Sequence, residues 1–172
     1  MKCFRKDNIK YSVIKEYKNG KSGTSHLISD GINKFILKCF ERKEFSYIKF
    51  DELLNQEINA FNKLKEIGVS IPELLEFNKE RNYLIKQFID GKVATELVAE
   101  NKLDEMIISQ LFEIVKIVNN NYFNIDYFPS NFVWTGEKLF YIDYEVQPYA
   151  EEWNFENWGI YYWLNSEGFA KY

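Results

Sequence analysis

The sequence predicts an α+β protein whose sheet comes mostly from the first half of the chain. Three observations support this prediction. Short segments rich in β-branched and aromatic residues, separated by turn residues, are concentrated before residue 90. Two longer segments carry apolar residues at helical spacing. Strands and helices are thus largely segregated along the chain, which is typical of α+β folds.

The first predicted elements are strands joined by turns. Residues 11–17 (YSVIKEY) and 34–40 (KFILKCF) have strand composition, and residues 26–29 form a shorter candidate strand between them. The segment 19–24 is a glycine-bearing turn by composition, and Asp30-Gly31 is a hairpin signal. The chain is therefore predicted to open as an antiparallel meander whose first turn is rich in glycine.

The middle of the chain combines one helix with two further strands. A helix is predicted over residues 51–67 and ends at Gly68, a residue type favoured just after a helix. Its apolar stripe consists of Leu53, Leu54, Ile58, Phe61 and Leu64. Strands are predicted at residues 73–78 and 83–89, and Asp90-Gly91 ends the second of these.

The last part of the chain is predicted to be mainly helical. A second long helix covers residues 103–118, with an apolar stripe at the usual spacing. An irregular aromatic loop, a hairpin with arms at 132–134 and 138–142, and a final helix at 155–164 follow.

Length, charge and cysteine content narrow the function classes. The 172 residues suit one domain or two small lobes, and 18% aromatic residues exclude a disordered chain. A formal net charge of −4 gives no general attraction to phosphate backbones, so we expect no nucleic-acid partner. There is no secretory signal and no apolar run near the roughly 18 residues that span a bilayer, so we expect no membrane association. With only Cys3 and Cys39, a reduced, cytoplasmic setting is expected.

Two charged residues are predicted within apolar surroundings. Glu57 falls inside the apolar arc of the first helix, where a carboxylate needs a partner to offset its desolvation. Lys38 lies in a mostly apolar strand, and the two side chains could neutralise one another. The alternative is a pair of separate exposed charges, which is the common situation for such residues.

A second group of polar residues follows the second long helix. Asp126 and Asn131 are five residues apart, with Pro129 restricting the backbone between them. Asp143 comes at the end of a hairpin arm. Carboxylate and amide oxygens of this kind can hold Mg²⁺. Each residue alone is explained as well by turn chemistry, because Asp and Asn favour turns for local reasons.

The order of these features resembles that of protein-kinase-like enzymes. Those enzymes place a glycine-bearing turn, a strand lysine, a helix glutamate, an apolar strand, a D-x-x-x-x-N loop and a metal-binding aspartate in this sequence. KFILKCF, LLNQEINAF and YLIKQFIDG resemble the lysine strand, the glutamate helix and the hinge strand. NIDYFPSNFVW and FYIDYE are most similar to the catalytic loop and the metal-binding segment of aminoglycoside phosphotransferases and choline kinases.

The resemblance covers about residues 11–163 and implies a minimal, two-lobed kinase-like fold. It implies an N-lobe over residues 1–90, with a small antiparallel sheet and one helix. It implies a reduced, mostly helical C-lobe over residues 91–172, with the catalytic loop and the metal-binding hairpin.

The resemblance also implies roles for individual residues, with ATP and Mg²⁺ as cofactors. Lys38 would position phosphates and Glu57 would hold Lys38. Asp126 would be the catalytic base. Asn131 and Asp143 would bind Mg²⁺. The remaining nucleotide contacts would be made by the backbone at Gly20 and Gly23, which approaches the triphosphate, and at Gln87 and Ile89, which meets the adenine.

The implied function is transfer of the ATP γ-phosphate to a hydroxyl of a small molecule or a protein. The alternatives are a pseudokinase that binds nucleotide without turnover and an unrelated small α+β interaction domain. Asn124 stands where the family usually has histidine, and only 29 residues follow Asp143, which leaves little room to enclose an acceptor. The aromatic residues near the carboxyl end are either core or a surface for a protein partner: Trp153, Phe155, Trp158, Tyr161, Tyr162 and Trp163.

Overall fold

The computed structural model describes residues 3–6, 9–17, 23–40 and 50–164, and the chain divides into two compact units. The first unit comprises Met1–Ile58 and Pro72–Phe88, and the second comprises Asn59–Ile71 and Ile89–Tyr172. The division into lobes between residues 90 and 91 stays a prediction.

The first unit contains a six-stranded antiparallel sheet. Its strands are β1 (Cys3–Lys6), β2 (Ile9–Glu16), β3 (Thr24–Ser29), β4 (Lys34–Cys39), β5 (Leu74–Asn78) and β6 (Tyr83–Gln87). Their order in the sheet is β1-β2-β3-β4-β6-β5. The five strands predicted from composition are confirmed, with ends within two residues, whereas β1 was not predicted.

The two faces of this sheet pack different groups. One face carries a core of Tyr11, Ile28, Leu37, Tyr83 and Ile85. The other packs Leu84 with Phe40 and with Leu54 of helix α1 (Phe50–Glu66). Leu54 and Leu84 are at most 1% exposed, so the apolar stripe predicted for this helix supplies the contact.

Helix α1 ends where the sequence predicts. Gly68 has a φ of 85°, and its N–H donates to the carbonyl oxygen of Lys65. The N–H of Val69 donates to the carbonyl oxygen of Leu64. A positive φ costs glycine little, so this residue satisfies helix-end carbonyls while turning the chain.

The second unit combines helices of different length with short strands. Its helices are α2 (Ala94–Ala99), α3 (Glu105–Asn120) and α4 (Ile160–Leu164), preceded by a π-helical turn at Phe155–Gly159. Its strands are β7 (Lys92–Val93), β8 (Phe123–Asn124), β9 (Phe132–Trp134), β10 (Leu139–Tyr141) and β11 (Gln147–Pro148). They form one sheet in the order β10-β9-β7 and one pair, β11-β8.

Aromatic residues form much of the core of the second unit. Tyr127, Tyr141, Phe132 and Phe155 are essentially fully buried, and Trp163 is 2% exposed. The predicted helix at 155–164 is present as the π-helical turn followed by α4. The carboxyl-terminal aromatic cluster therefore contributes to this core, although Trp153 and Tyr161 of the same cluster are more than half exposed.

The predicted α+β class is confirmed, with an antiparallel sheet in the amino-terminal region followed by helices. The arrangement is compatible with a small kinase-like fold. Among the helices described, none combines the length and the apolar character that crossing a membrane requires.

Candidate functional site

In the first unit, the candidate site is an ion pair between a strand and a helix. The Nζ atom of Lys38 on β4 contacts Oε1 of Glu57 on α1. The two side chains are 12% and 9% exposed. Lys38 lies opposite Leu84 on β6, on the sheet face that α1 covers. The helical wheel therefore located Glu57 correctly, and its buried charge is offset by the lysine.

The glycine-bearing turn is described only at its end. Gly20 lies outside the described residues. At Gly23 a Cβ atom would overlap the carbonyl oxygen of Cys39 on β4 and lie 3.1 Å from Cα of Phe40. Close packing against the neighbouring strand is thus sufficient reason for glycine at this position. Its predicted role at the triphosphate stays a prediction.

The two predicted hinge positions differ in their surroundings. The N–H of Gln87 donates to the carbonyl oxygen of Glu73 over 2.9 Å. Its Oε1 accepts the N–H of Glu73 over 3.3 Å. Ile89 is 9% exposed and belongs to the second unit. Contacts of these residues with adenine stay predictions.

In the second unit, a hydrogen bond links the two ends of the loop from Asp126 to Asn131. The Nδ2 atom of Asn131 donates to the main-chain oxygen of Asp126 over 3.3 Å. The N–H of Phe128 donates to Oδ1 of Asp126 over 3.1 Å. Pro129 begins the short 3-10 turn Pro129–Asn131, where its lack of an N–H costs no hydrogen bond. Oδ1 is the atom of this amide that suits a cation, because Mg²⁺ takes oxygen ligands and an amide nitrogen only donates.

Asp143 lies beside the same loop. The N–H of Ile142 donates to the main-chain oxygen of Asn131 over 2.8 Å, so the residue directly before Asp143 is fixed to the loop. Oδ1 of Asp143 accepts the N–H of Tyr144 over 2.9 Å. The structure therefore brings the segments of Asp126, Asn131 and Asp143 together within one unit, as the sequence pattern suggested.

A buried tyrosine that the sequence analysis missed connects these segments. The hydroxyl of Tyr141 accepts the N–H of Asp126 over 3.4 Å and donates to the carbonyl oxygen of Glu145 over 3.2 Å. Burial, and then the carboxylates of Asp143 and Asp126, raise the pKa of Tyr141 well above its ordinary value. The phenol therefore stays neutral and can both donate and accept. The sequence feature that points to this role is a tyrosine at a hairpin position that faces the core. A tyrosine hydroxyl buried there requires hydrogen-bond partners.

Asn124, which stands where the family usually has histidine, also fastens the loop. It is 3% exposed, and its Nδ2 donates to the carbonyl oxygen of Ala150 over 2.8 Å. Its backbone pairs with Gln147 of β11. Asn124 thus holds the start of the Asp126 loop to the chain that follows Asp143.

Carboxyl-terminal aromatic residues support the middle of the loop. Nε1 of Trp163 donates to the main-chain oxygen of Tyr127 over 2.8 Å. The rings of Phe128 and Tyr162 are 4.7 Å apart between centroids. A Cβ atom at Gly159 would lie only 2.6 Å from Cβ of Tyr127, which explains the glycine there.

The candidate residues of the two units differ in their chemistry. The first unit supplies an ammonium group held by a carboxylate, and such groups suit phosphate oxygens. The second supplies carboxylate and amide oxygens on one loop and one strand end, which are the ligands that Mg²⁺ prefers.

Comparison with known proteins gives a consistent set of relatives. No family model matches the chain. A protein of Methanococcus maripaludis strain C5 is 28% identical over 157 residues, covering 86% of this chain and 28% of the relative. Its counterpart from strain C6 is 27% identical over 157 residues, covering 84% of this chain and 28% of the relative. Both are named probable bifunctional tRNA threonylcarbamoyladenosine biosynthesis proteins. The chain thus spans little more than a quarter of the length of these relatives.

These relatives correct two expectations. The resemblance to aminoglycoside phosphotransferases and choline kinases was wrong in its type, because the relatives are named for tRNA modification. The matched motifs concern phosphate and metal, so they carry no information about the acceptor. The expectation that nucleic acid is not a partner was also wrong, since the relatives' name points to tRNA.

The physical reason for the second error is that net charge averages over the two units. The first unit holds 15 basic and 11 acidic residues, a formal charge of +4. The second holds 7 basic and 15 acidic residues, a formal charge of −8. The overall value of −4 therefore conceals a unit of positive charge.

Proposed function

We propose that this chain is a Mg²⁺-dependent, ATP-binding module of kinase-like fold that acts in tRNA modification. The nucleotide part of this proposal rests on the Asp126 loop, whose hydrogen bonds hold Asn131 and the end of β10 together. The Lys38–Glu57 pair in the first unit supports it independently. The tRNA part rests on the name shared by the relatives.

In the proposed reaction each residue has a limited task. Lys38 contacts phosphate oxygens while Glu57 fixes its position. Oδ1 of Asn131 and the carboxylate of Asp143 hold Mg²⁺, which offsets negative charge on the phosphates when it is bound. Asp126 accepts a proton from the attacking water molecule. Catalysis by such a site is mainly positioning and electrostatic stabilisation.

Water is the proposed phosphoryl acceptor. The modification in the relatives' name, threonylcarbamoyl on adenosine, contains no phosphoryl group. In this scheme the water oxygen forms a bond to the γ-phosphorus, the bond from that phosphorus to the bridging oxygen of ADP breaks, and Asp126 takes the proton from water. The products are ADP and phosphate. In this proposal the cleavage of ATP drives a step of tRNA modification.

The test begins with the melting temperature of the full chain with and without Mg·ATP. A ligand at about 100 times its dissociation constant adds about 2.7 kcal/mol of stability. We expect a Mg²⁺-dependent rise that Asp143→Ala abolishes. Glu113→Ala, which removes an exposed carboxylate of α3 in the same unit, is the matched control and should keep the rise. Absence of any rise at millimolar Mg·ATP would remove the nucleotide part of the proposal.

Phosphate release, measured with and without tRNA, then separates turnover from binding. The second candidate is a nucleotide-binding module without turnover, and Asn124 favours it because no histidine supports Asp126. Release that tRNA stimulates supports the ATPase proposal. Mg·ATP binding without phosphate release in either condition supports the second candidate.

A further inference from the structure

Strands β2 to β6 of the first unit separate their charged residues by face. Within the described strands β2 to β6, one face carries every lysine, namely Lys10, Lys15, Lys34, Lys38 and Lys86. The two glutamates of these strands, Glu16 and Glu76, lie on the other face. This separation follows from the strand register.

The pairing of strands β2, β3 and β4 places Lys10 and Lys34 on the same face of the sheet. Lys34 on β4 lies opposite Ser29 on β3, and Ser29 lies opposite Ser12 on β2. Directly opposite residues in an antiparallel sheet share a face, as do residues two apart in a strand. Lys10, two residues before Ser12, therefore lies on the face of Lys34.

A β-bulge adds a third exposed lysine to this face. Val13 lies opposite Ile28, but Lys15 lies opposite Leu27, so Ile14 is the extra residue. Leu27 is two residues from Ser29 and shares its face. Strict alternation along β2 would have put Lys15 on the face of Val13 instead, so the bulge redirects this side chain.

The remaining charged residues follow from the same register. Lys38 lies opposite Leu84, and Lys86 lies opposite Ile36, so both share the lysine face. Glu76 lies opposite Ile85, which belongs to the core of the other face.

Glu16 belongs to that other face as well. It lies opposite His26, and His26 lies opposite the core residue Leu37. The exposed members of the lysine face are Lys10, Lys15 and Lys34, whereas Lys38 and Lys86 are mostly buried.

We propose that Lys10, Lys15 and Lys34 form a contact surface for the phosphodiester backbone of RNA. Strands lie about 4.8 Å apart and rise about 3.4 Å per residue, so the three positions cover an area on the order of 10 by 14 Å. Such a spread suits successive phosphates of an extended polyanion. Because the proposed function is a role in tRNA modification, RNA is the polyanion expected at this surface. The inference therefore rests on that function. The +4 charge of the unit is complementary to it.

Protection of a sheet edge does not account for this arrangement. Lysine on an edge strand deters pairing with other chains. Here β2 and β4 each have a strand on both sides in the order β1-β2-β3-β4-β6-β5. A solubilising role would also not require the bulge that brings Lys15 to the face of Lys10.

The test measures binding of an unmodified tRNA transcript to the full chain between about 50 and 200 mM salt. In the variant Lys10→Gln/Lys15→Gln/Lys34→Gln we expect affinity to fall at least about tenfold at low salt. The slope of log K against log salt should lessen by about 2 to 3, because each lost phosphate contact removes about 0.7 to 0.9. The matched control, Lys79→Gln/Arg81→Gln/Lys116→Gln, removes three exposed cations elsewhere and should leave the slope within about 0.5 of the parent.

Three outcomes would overturn the inference. They are a parent chain without measurable tRNA binding, a triple variant that binds as the parent does, and an equal loss in the control. Melting temperatures without ligand verify that each variant is folded. The rise with Mg·ATP, measured on the same samples, separates this inference from the proposed function. If the parent lacks that rise but the salt slopes differ as expected, only the nucleotide proposal fails. If the triple variant loses the rise together with RNA binding, the surface belongs to the nucleotide and the RNA assignment is wrong.

Discussion

The two units of this protein carry opposite charge and complementary chemistry. The first has a formal charge of +4 and presents a lysine face that includes the Lys38–Glu57 ion pair. The second has a formal charge of −8 and gathers Asp126 and Asp143 around the hydroxyl of Tyr141. Cations in one unit suit phosphates, and oxygen ligands in the other suit a metal ion. Electrostatic inference from sequence is therefore sound only when it is made for each unit separately.

The largest expected effect separates catalysis in the second unit from phosphate positioning in the first. Asp126→Ala should lower phosphate release by about 10²- to 10⁴-fold, the usual contribution of a general base. Its Mg·ATP-dependent rise in melting temperature should stay close to that of the parent. Lys38→Met should instead reduce that rise. If Asp126→Ala keeps full turnover, or if Lys38→Met keeps full nucleotide affinity, the division of tasks between the units is wrong.

A second comparison concerns two glycines that pack against main chain, one in each unit. A Cβ atom at Gly23 would overlap the carbonyl oxygen of Cys39, and one at Gly91 would overlap that of Trp134. Because overpacking costs about 1–3 kcal/mol, Gly23→Ala and Gly91→Ala should each lower the melting temperature by several degrees. Gly136→Ala is the control, since its Cβ would meet no atom within 4 Å. That control has a φ of 103° and carries only backbone strain, on the order of 1–3 kcal/mol, without the overlap with a carbonyl oxygen. Equal losses at the three positions would contradict the packing explanation.

A third prediction sharpens the role of Tyr141 in the second unit. Tyr141→Phe removes only the hydroxyl that joins Asp126 to Glu145. We expect kcat for phosphate release to fall about tenfold, as for a group that orients the base, with KM for ATP nearly unchanged. Stability should fall by about 1–3 kcal/mol, because the hydroxyl takes part in two hydrogen bonds of about 0.5–1.5 kcal/mol each.

The hydrogen bond between the Asp126 N–H and the Tyr141 hydroxyl can also be tested without measuring turnover. Hydrogen exchange at the Asp126 amide should become faster in Tyr141→Phe than in the parent, while a buried amide of α3 such as Leu111 keeps its rate. An unchanged exchange rate at Asp126 would show that the hydroxyl does not hold this loop. A lower melting temperature with unchanged kcat would assign Tyr141 a structural role only.

The smallest expected effect is a pH dependence in the first unit. Hydrogen bonds from the N–H groups of Asn33 and Ile32 lower the pKa of Asp30 below 3.8. The ionised Asp30 carboxylate therefore stabilises the folded chain fully above pH 3.8, and this contribution is lost as the pH falls through the pKa of Asp30 in the folded state. Asp30→Asn should have a slightly lower melting temperature than the parent at pH 7. This difference should shrink as the pH drops below 3.8, and a constant difference at all pH values would contradict the assignment.

The sequence predicted much of the fold because its periodic signals were strong. The strands β2 to β6, helices α1 and α3 and the hairpin β9–β10 were each recognised, with ends close to those observed. β7, β8 and β11 are two-residue strands whose pairing depends on partners far along the chain, so local composition gave no sign of them. α2 has only six residues, too few for a helical period to be recognised.

The candidate site was partly predictable for the same reason. Glu57 was found because a carboxylate in an apolar arc is conspicuous, and its contact with Lys38 is present. Asp126 and Asn131 were singled out because their loop resembles a kinase catalytic loop, and their roles stay predictions. Tyr141 was missed, since one more aromatic residue among many does not reveal that its hydroxyl reaches the Asp126 loop.

By itself the sequence determined which residues are available for charge, metal and phosphate chemistry, and where most of the longer strands and helices lie. Only the tertiary structure decided which of these residues meet. Lys15 illustrates the difference, because alternation along β2 assigns it to the face of Val13 and a single bulge moves it to the face of Lys10. Chain folding likewise settled which segments belong to each unit. Residues 72–88 join a unit with the amino-terminal segment rather than with their neighbours in sequence, because β5 and β6 pair within the first sheet.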